Sequence, residues 1–410
     1  MKVVHIATAF PRHEGDIITP WLGELVVAQR AAGLDASVLA PAYRGGGATS
    51  WRGVPVRRFR YAPRRLETLT HDETVPDRIR SRPGYAALLP AYMLGGSVAG
   101  VRVGTGRPDV VHVHWPFPHA WFGAVARAVA GRSTALVSSF YSVELRWVTR
   151  RMPALAPFLR WSIETSDAVT AISSSTAREV RSIAARRVPV IPFAAAAGAG
   201  TRDRPPARRA RDQGPFTILF VGRLVERKGV DVLVRALGRL SEMPDVQLVV
   251  AGEGPCAARI RAVAEEVGVA DRVRLLGRVD DAALEAAYRM ADVFVLPAVV
   301  DEKGDTEGLG VVLLEALGFG VPVIGSDAGG IPDIIRGGDT GWLVPPGDSE
   351  ALARAIREVV TDPEEAVRRV ARGRDLAETR FSMPGIVRDL AICYERARAV
   401  RRTGRAQRAS

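Results

Sequence analysis

Cysteine is almost absent from this chain of 410 residues: Cys256 and Cys393 are the only two, far apart. That excludes a disulfide framework and a cysteine zinc site, and it agrees with a reducing compartment. Lysine is as scarce, occurring at Lys2, Lys228 and Lys303 among 57 basic residues. No Asp-x-Asp pair occurs, which removes a common carboxylate anchor for a divalent ion on a diphosphate. GxGxxG, GxSxG, HExxH and the Walker A motif are missing too. Their absence disfavours a dinucleotide site, a hydrolase nucleophile elbow, a zinc protease and a P-loop enzyme. The opening MKVVHIATAF alternates like a strand and lacks the apolar core of a signal peptide. The longest uncharged run, Pro83 to Val101, is interrupted by Pro90, Gly95, Gly96 and Gly100. It reads as a buried or interfacial helix rather than a membrane span. A soluble, cytoplasmic protein is expected.

What is present is an ordinary globular composition, 47% hydrophobic and 25% charged, with a net charge of +12. The length exceeds what one core usually supports, so two domains are expected. Arginine clusters at 52–82, at 202–211 and from 388 onward. Such clusters are either solvated faces or attractors of an anionic partner. They lack interleaved aromatics or a recognisable module, which disfavours nucleic acid.

Short apolar runs alternate with helical patterns from end to end. VVHIATAF (3–10), ASVLAP (36–41), DVVHVHW (109–115), TALVSSF (134–140) and DAVTAIS (167–173) read as strands, with a helix over 21–33. After a small, basic, proline-containing stretch the alternation restarts at FTILFVG (216–222) and runs on to GWLVPPGD (341–348). This is the pattern of parallel βαβ units covered by helices on both faces.

Three stretches carry chemistry. In FVGRLVERKGVDVLVRAL a strand ends at Gly222, Arg223 follows, and Lys228 precedes a helix. Two cations at a strand-to-helix turn suit a polyphosphate, and a lysine that persists in an arginine-rich chain suggests a place where a guanidinium would not fit. In GDTEGLGVVLLEALGFG (304–320) a helix starting near Gly308 would leave the amides of Gly308, Leu309 and Gly310 open to an anion. Glu307 would sit at its lip. Glu315, eight residues on, would lie about 12 Å along the axis, too far to share one bond with Glu307. The two acids would grip different parts of one long ligand. His112 and His114 alternate on a strand, but without an accompanying ligand at metal spacing they do not make a metal site.

With LVVAGEGP, RLLGRV, YRMADVFVLP, GSDAGGIPD and TGWLVPPGD, these stretches resemble the retaining glycosyltransferases of family 4. The resemblance covers nearly the whole chain and is strongest over 216–348. It implies the α/β GT-B fold: two Rossmann-like, doubly wound parallel-sheet domains facing across a cleft. The expected layout is an acceptor-side domain over 1–195, a linker over 196–215 and a nucleotide-sugar domain over 216–383. A helix over 384–400 would cross back to the first domain, ahead of a basic tail over 401–410.

The resemblance also implies an enzyme that moves a sugar from a UDP- or GDP-sugar to an acceptor hydroxyl, in glycan or cell-envelope synthesis in bacteria. The acceptor would be lipid-linked, a polysaccharide or a small molecule, and no cofactor or metal is expected. Arg223 and Lys228, with Gly222, would hold the donor diphosphate. Glu315 would bind the ribose, and Glu307 with the amides of Gly308, Leu309 and Gly310 would face the donor sugar. Arg278 and Val279 would contact the base, and Gly15 would lie in the loop nearing the diphosphate. Glu307 and Glu315 form the family's E-x7-E. Tyr141 stands where the family commonly has a histidine, and Glu144 where it has an aspartate. Tyrosine, with a reference pKa of about 10, donates a hydrogen bond but is a poor base near neutral pH. The basic clusters and the run after Arg82 suggest peripheral association with an anionic membrane. The alternatives are a catalytically inactive GT-B subunit or a GT-B epimerase.

Overall fold

The computed structural model describes residues 1–16, 18–71, 75–194 and 214–404. Most of the expected linker, and the tail beyond residue 404, lie outside them. The chain forms two compact units, Met1–Pro192 with Met383–Ser410, and Phe193–Ser382.

The first unit is built on β1 (Lys2–Ile6), β2 (Asp35–Pro41), β3 (Ser50–Trp51), β4 (Val54–Phe59), β5 (Val110–His114), β6 (Ala135–Phe140) and β7 (Ala168–Ala171). They form one sheet in the order β3-β4-β2-β1-β5-β6-β7, parallel except for the β3–β4 pair. Every residue of β5 and β6 is buried, as expected of a parallel sheet with both faces covered. Helices Pro20–Ala31, Pro116–Ala130 and Val143–Arg151 follow β1, β5 and β6. The helix Met383–Thr403 packs against β6 and against Pro20–Ala31, burying Tyr394 completely.

The uncharged run becomes a short 3-10 turn, Pro83–Leu88, and a helix, Leu89–Thr105. Gly96, Gly100 and Gly104 lie against the helix Pro116–Ala130: a Cβ at Gly96 would come within 2.2 Å of the Phe122 ring. The opposite face leaves Leu94 67% exposed, with Val98 and Val101 beside it. The segment is long and apolar enough to cross a membrane by composition, yet its glycine face is packed inside the unit.

The second unit is built on β8 (Phe216–Val221), β9 (Val246–Ala251), β10 (Val273–Gly277), β11 (Val293–Leu296), β12 (Val323–Ser326) and β13 (Trp342–Val344). Their order is β10-β9-β8-β11-β12-β13, parallel throughout. The chain winds outward from β8 in one direction and from β11 in the other. The point between them is where ligands bind in open α/β sheets, at the carboxyl ends of the strands.

Candidate functional site

Lys228 and Glu307 reach that point from the two central strands. After β8 the chain passes Gly222 and Arg223, makes a 3-10 turn at Glu226–Lys228, and enters the helix Val230–Gly238. After β11 a loop runs to the helix Val311–Gly318. Lys228 Nζ donates to Glu307 Oε2 at 2.5 Å, and the two side chains are 11% and 13% exposed. The Arg227 guanidinium lies 3.5 Å from the same oxygen and 3.6 Å from Asp305. Burial alone would raise the Glu307 pKa, but Lys228 and Arg227, with the Leu309 amide, hold it below the usual value. Glu307 is therefore an ionised acid locked between cations, not a carboxylate standing open at a lip.

The structure corrects the expected helix start. Gly308 is not helical; the helix begins at Val311, and Gly310 precedes it in left-handed backbone with φ 90°. A residue with a Cβ adopts that conformation only at a cost. The Leu309 amide turns back onto the Glu307 side chain. The Glu307 carbonyl accepts from the Gly330 amide at 3.1 Å. A Cβ at Gly329 would fall 1.8 Å from that carbonyl oxygen, so this turn after β12 tolerates only glycine there. Among the described residues, the amides of Gly310, Val311 and Val312 have no backbone acceptor. The end of this helix whose amides lack backbone partners thus lies two to three residues beyond the expected place.

Glu315 has a different partner. Tyr288 donates its hydroxyl to Glu315 Oε2 at 2.8 Å, and the Tyr288 ring stacks on Phe319 with centroids 5.1 Å apart. Burial raises the Glu315 pKa, and the hydrogen bond from Tyr288 offsets only part of that. The two acids of the E-x7-E motif are held by separate groups.

The turns after β8, β9 and β10 stack on one another. A Cβ at Gly252 would meet the Gly222 carbonyl oxygen at 1.9 Å. The Gly252 amide donates to the Gly277 carbonyl at 2.8 Å, and the Arg278 amide to Glu253 Oε1 at 3.3 Å. Arg223 and Arg278 are exposed, Val279 partly so. Among the described residues, Arg223 has no ion-pair partner.

Gly15 and Tyr141 belong to the first unit. Gly15 is exposed in a turn tied by the Arg12–Asp16 ion pair, and a Cβ there would meet nothing closer than 3.9 Å. Nothing in that turn demands glycine. The Tyr141 amide donates to Glu144 Oε1 at 2.8 Å, and burial pushes the Glu144 carboxyl up to about 7. The Tyr141 hydroxyl lies 2.5 Å from His114 Nδ1, and its pKa is raised well above the ordinary value by burial, then by Glu144.

His5, His112 and His114 meet beneath Tyr141 with ligand atoms within 4.8 Å of one another. His5 arrives from β1 because β1 and β5 pair with His5 opposite His112. All six ring nitrogens are hydrogen-bonded to protein groups, so a metal ion would have to displace those bonds. Burial lowers His5 to about 4 and the other two well below the ordinary value. The rings are neutral at pH 7, and Gln29 sets their tautomers. Its Oε1 only accepts, so His5 Nε2 carries the proton (2.7 Å). His5 Nδ1 then accepts from His114 Nε2 (2.9 Å), and His114 Nδ1 accepts from Tyr141. The Tyr141 hydroxyl donates inward.

Sequence reasoning missed Arg227, Tyr288, Gly329, Gly330, His5, Gln29 and Tyr394 as members of these arrangements. Arg227 beside Lys228, Tyr288 in YRMADVFVLP and the glycine pair in GSDAGGIPD were the available local signals.

Family models for "Glycosyl transferases group 1" and "Glycosyl transferase 4-like domain" match residues 202–376 and 18–194. Over 290 residues the chain is 33% identical to the GDP-mannose-dependent alpha-(1-6)-phosphatidylinositol monomannoside mannosyltransferase of Mycobacterium tuberculosis, covering 66% of this chain and 74% of that one. The structure resembles sucrose-phosphate synthase from Thermosynechococcus elongatus, with a TM-score of 0.73 at 22% identity over 98% of this chain and 100% of that one. It also resembles HepE of Anabaena, solved with UDP and glucose, with a TM-score of 0.67 at 19% identity over 96% and 100%. The two structural likenesses show a shared fold.

Proposed function

The chain belongs to the group 1 glycosyltransferases of GT-B fold, enzymes that use nucleotide-sugar donors, and we propose that it transfers a hexose to a lipid-linked or glycan acceptor with retention of configuration. The observation that carries this reading is the Lys228–Glu307–Arg227 group, with Glu307 on the loop that leads into a helix whose first amides, Gly310, Val311 and Val312, have no backbone acceptor. A donor diphosphate there would take over the cations that now neutralise Glu307, and Arg223 stands exposed on the same turn. Charge-assisted contacts of this kind contribute roughly 1.5–3 kcal/mol each. Glu315, held by Tyr288, is assigned to the ribose, and Arg278 with Val279 to the base. The first donor to test is GDP-mannose, the donor of the mycobacterial relative.

The mechanism we favour is front-face and independent of metal. Cations and helix amides stabilise charge on the departing diphosphate, the effect that lowers the barrier most in such reactions, and the diphosphate accepts the proton of the acceptor hydroxyl. Tyr141 is unsuited to that task, because its hydroxyl donates to His114 and its pKa is raised.

The first unit is assigned to the acceptor and to the cytoplasmic surface of an anionic membrane. Leu94, Val98 and Val101 are exposed on one helix, close in sequence to Arg82 and Arg102, and Arg44, Arg64, Arg65 and Arg82 surround a shallow depression in the same unit. Incubation of the purified protein with GDP-mannose or UDP-glucose and bacterial polar lipids tests the reading. Release of nucleoside diphosphate with a glycosylated product supports it; failure to bind any nucleotide sugar contradicts it.

A further inference from the structure

Among the described residues, three strand-to-helix turns of the first unit carry a non-glycine residue in left-handed backbone. They are Thr19 (φ 50°), Trp115 (φ 52°) and Ser142 (φ 73°). Each residue immediately precedes a helix, and none caps it through its side chain. The turns follow β1, β5 and β6, which are consecutive neighbours in the sheet. Backbone of this kind is costly outside glycine and persists where surrounding structure imposes it, often at ligand sites.

Each turn delivers an aromatic ring to the same place: Trp21, Trp115 and Tyr141. The Trp115 and Tyr141 centroids are 4.8 Å apart, Trp21 and Tyr141 5.4 Å, and Trp21 and Trp115 5.6 Å with planes at 64°. Tyr141 is buried, 7% exposed, whereas both indoles are part-exposed. A cluster formed only for packing would bury these rings without three strained turns at the ligand-binding ends of the strands. The Tyr141 hydroxyl is occupied inward by His114, so the group's contribution at the opening is its rings.

We propose that Trp21, Trp115 and Tyr141 form an aromatic seat for a six-membered polyol ring, a pyranose or a cyclitol, in the acceptor. One face of such a ring presents polarised C–H groups to the negative face of an indole, while its hydroxyls stay at the wet rim. This assignment rests on the reading of the chain as a transferase that glycosylates a polyol, and names the part of the acceptor that the first unit holds.

The test is a titration of the full chain, labelled with ¹⁵N-indole tryptophan, which gives signals from seven tryptophans. Methyl α-D-mannopyranoside and myo-inositol are added separately, with and without saturating GDP; Trp21→Phe and Trp115→Phe assign the two signals. The expected result is that Trp21 and Trp115 shift together and saturably with at least one of the two polyols, while exposed Trp121 stays still. Which polyol acts separates pyranose from cyclitol. Trp115→Ala should weaken that polyol by roughly tenfold or more and leave GDP affinity unchanged. If the two indoles stay unmoved by both polyols while GDP binds, the seat is wrong and the donor reading stands. If GDP fails to bind, the donor reading falls, and the indole response alone decides the seat. Should Trp115→Ala not fold, the titration of the unaltered chain decides.

Discussion

Lys228 Nζ and Glu307 Oε2, from residues 79 apart in sequence, form a 2.5 Å ion pair at the carboxyl ends of the two central strands of the second unit. In that pair the acid holds the lysine in place and neutralises it.

Removing one partner of a nearly buried ion pair leaves an uncompensated charge, which costs about 3–5 kcal/mol when burial is complete. Arg227 remains near Glu307, so Lys228→Ala should cost less than that and still lower the thermal midpoint. Adding Glu307→Gln should restore part of the lost stability without restoring turnover. The two effects separate in paired melting and activity measurements. A Lys228→Ala variant with full activity would refute the assignment.

Tyr141→Phe keeps the ring and removes the donor to His114 Nδ1. The buried nitrogen is left unsatisfied, at about 1–3 kcal/mol, visible in urea denaturation. Turnover should fall by less than roughly tenfold, because an inward-donating hydroxyl supplies no proton transfer. A loss like that of Lys228→Ala would show that the hydroxyl touches the reacting atoms.

Acid should unfold the protein early. His5, His71 and His119 have pKa values lowered to about 4 by burial, against an ordinary value near 6.5. The unfolded chain then binds more protons than the folded one between those values. The stability these groups contribute is present above pH 6.5 and is lost as the pH falls toward 4. Each contributes a slope of up to about 1.4 kcal/mol per pH unit. Glu144, raised to about 7 by burial, opposes one of these slopes, so the urea midpoint should still fall from pH 7 to pH 5; a midpoint that holds or rises would contradict this balance.

Chelation should leave the reaction unaffected, since the charge that would meet the diphosphate comes from Lys228, Arg227, Arg223 and helix amides. Turnover measured in EDTA, then with magnesium or manganese restored, checks it. Activity that vanishes and returns with the metal would contradict the mechanism.

Much of this was legible in the sequence, for identifiable reasons. The strand runs at 36–41, 134–140 and 216–222 are apolar, short and bounded by turn residues, which specifies buried parallel strands. Lys228 was visible through the scarcity of lysine, and Glu307 and Glu315 through their spacing. The helix start was misplaced because Gly308 and Gly310 each suit a helix boundary. Contact with Gly329 and Gly330, some twenty residues on, decides between them. His5 and His112 are 107 residues apart in sequence and meet only through the β1–β5 register. Tyr394 reaches Gln29 and His112 from the last helix, where no local pattern marks it. The partners of Glu315 and Tyr141 were equally hidden, since both contacts cross between elements.

Calorimetric binding of GDP, UDP, GDP-mannose and the nucleosides guanosine and uridine to the unaltered chain and to Lys228→Ala, without added metal, probes the donor site most directly. A nucleoside diphosphate should bind the unaltered chain, and the variant should lose at least roughly tenfold in affinity, the equivalent of one charge-assisted contact. Equal affinity in both proteins, or binding of the nucleoside as tight as that of its diphosphate, would show that Lys228 does not hold the diphosphate.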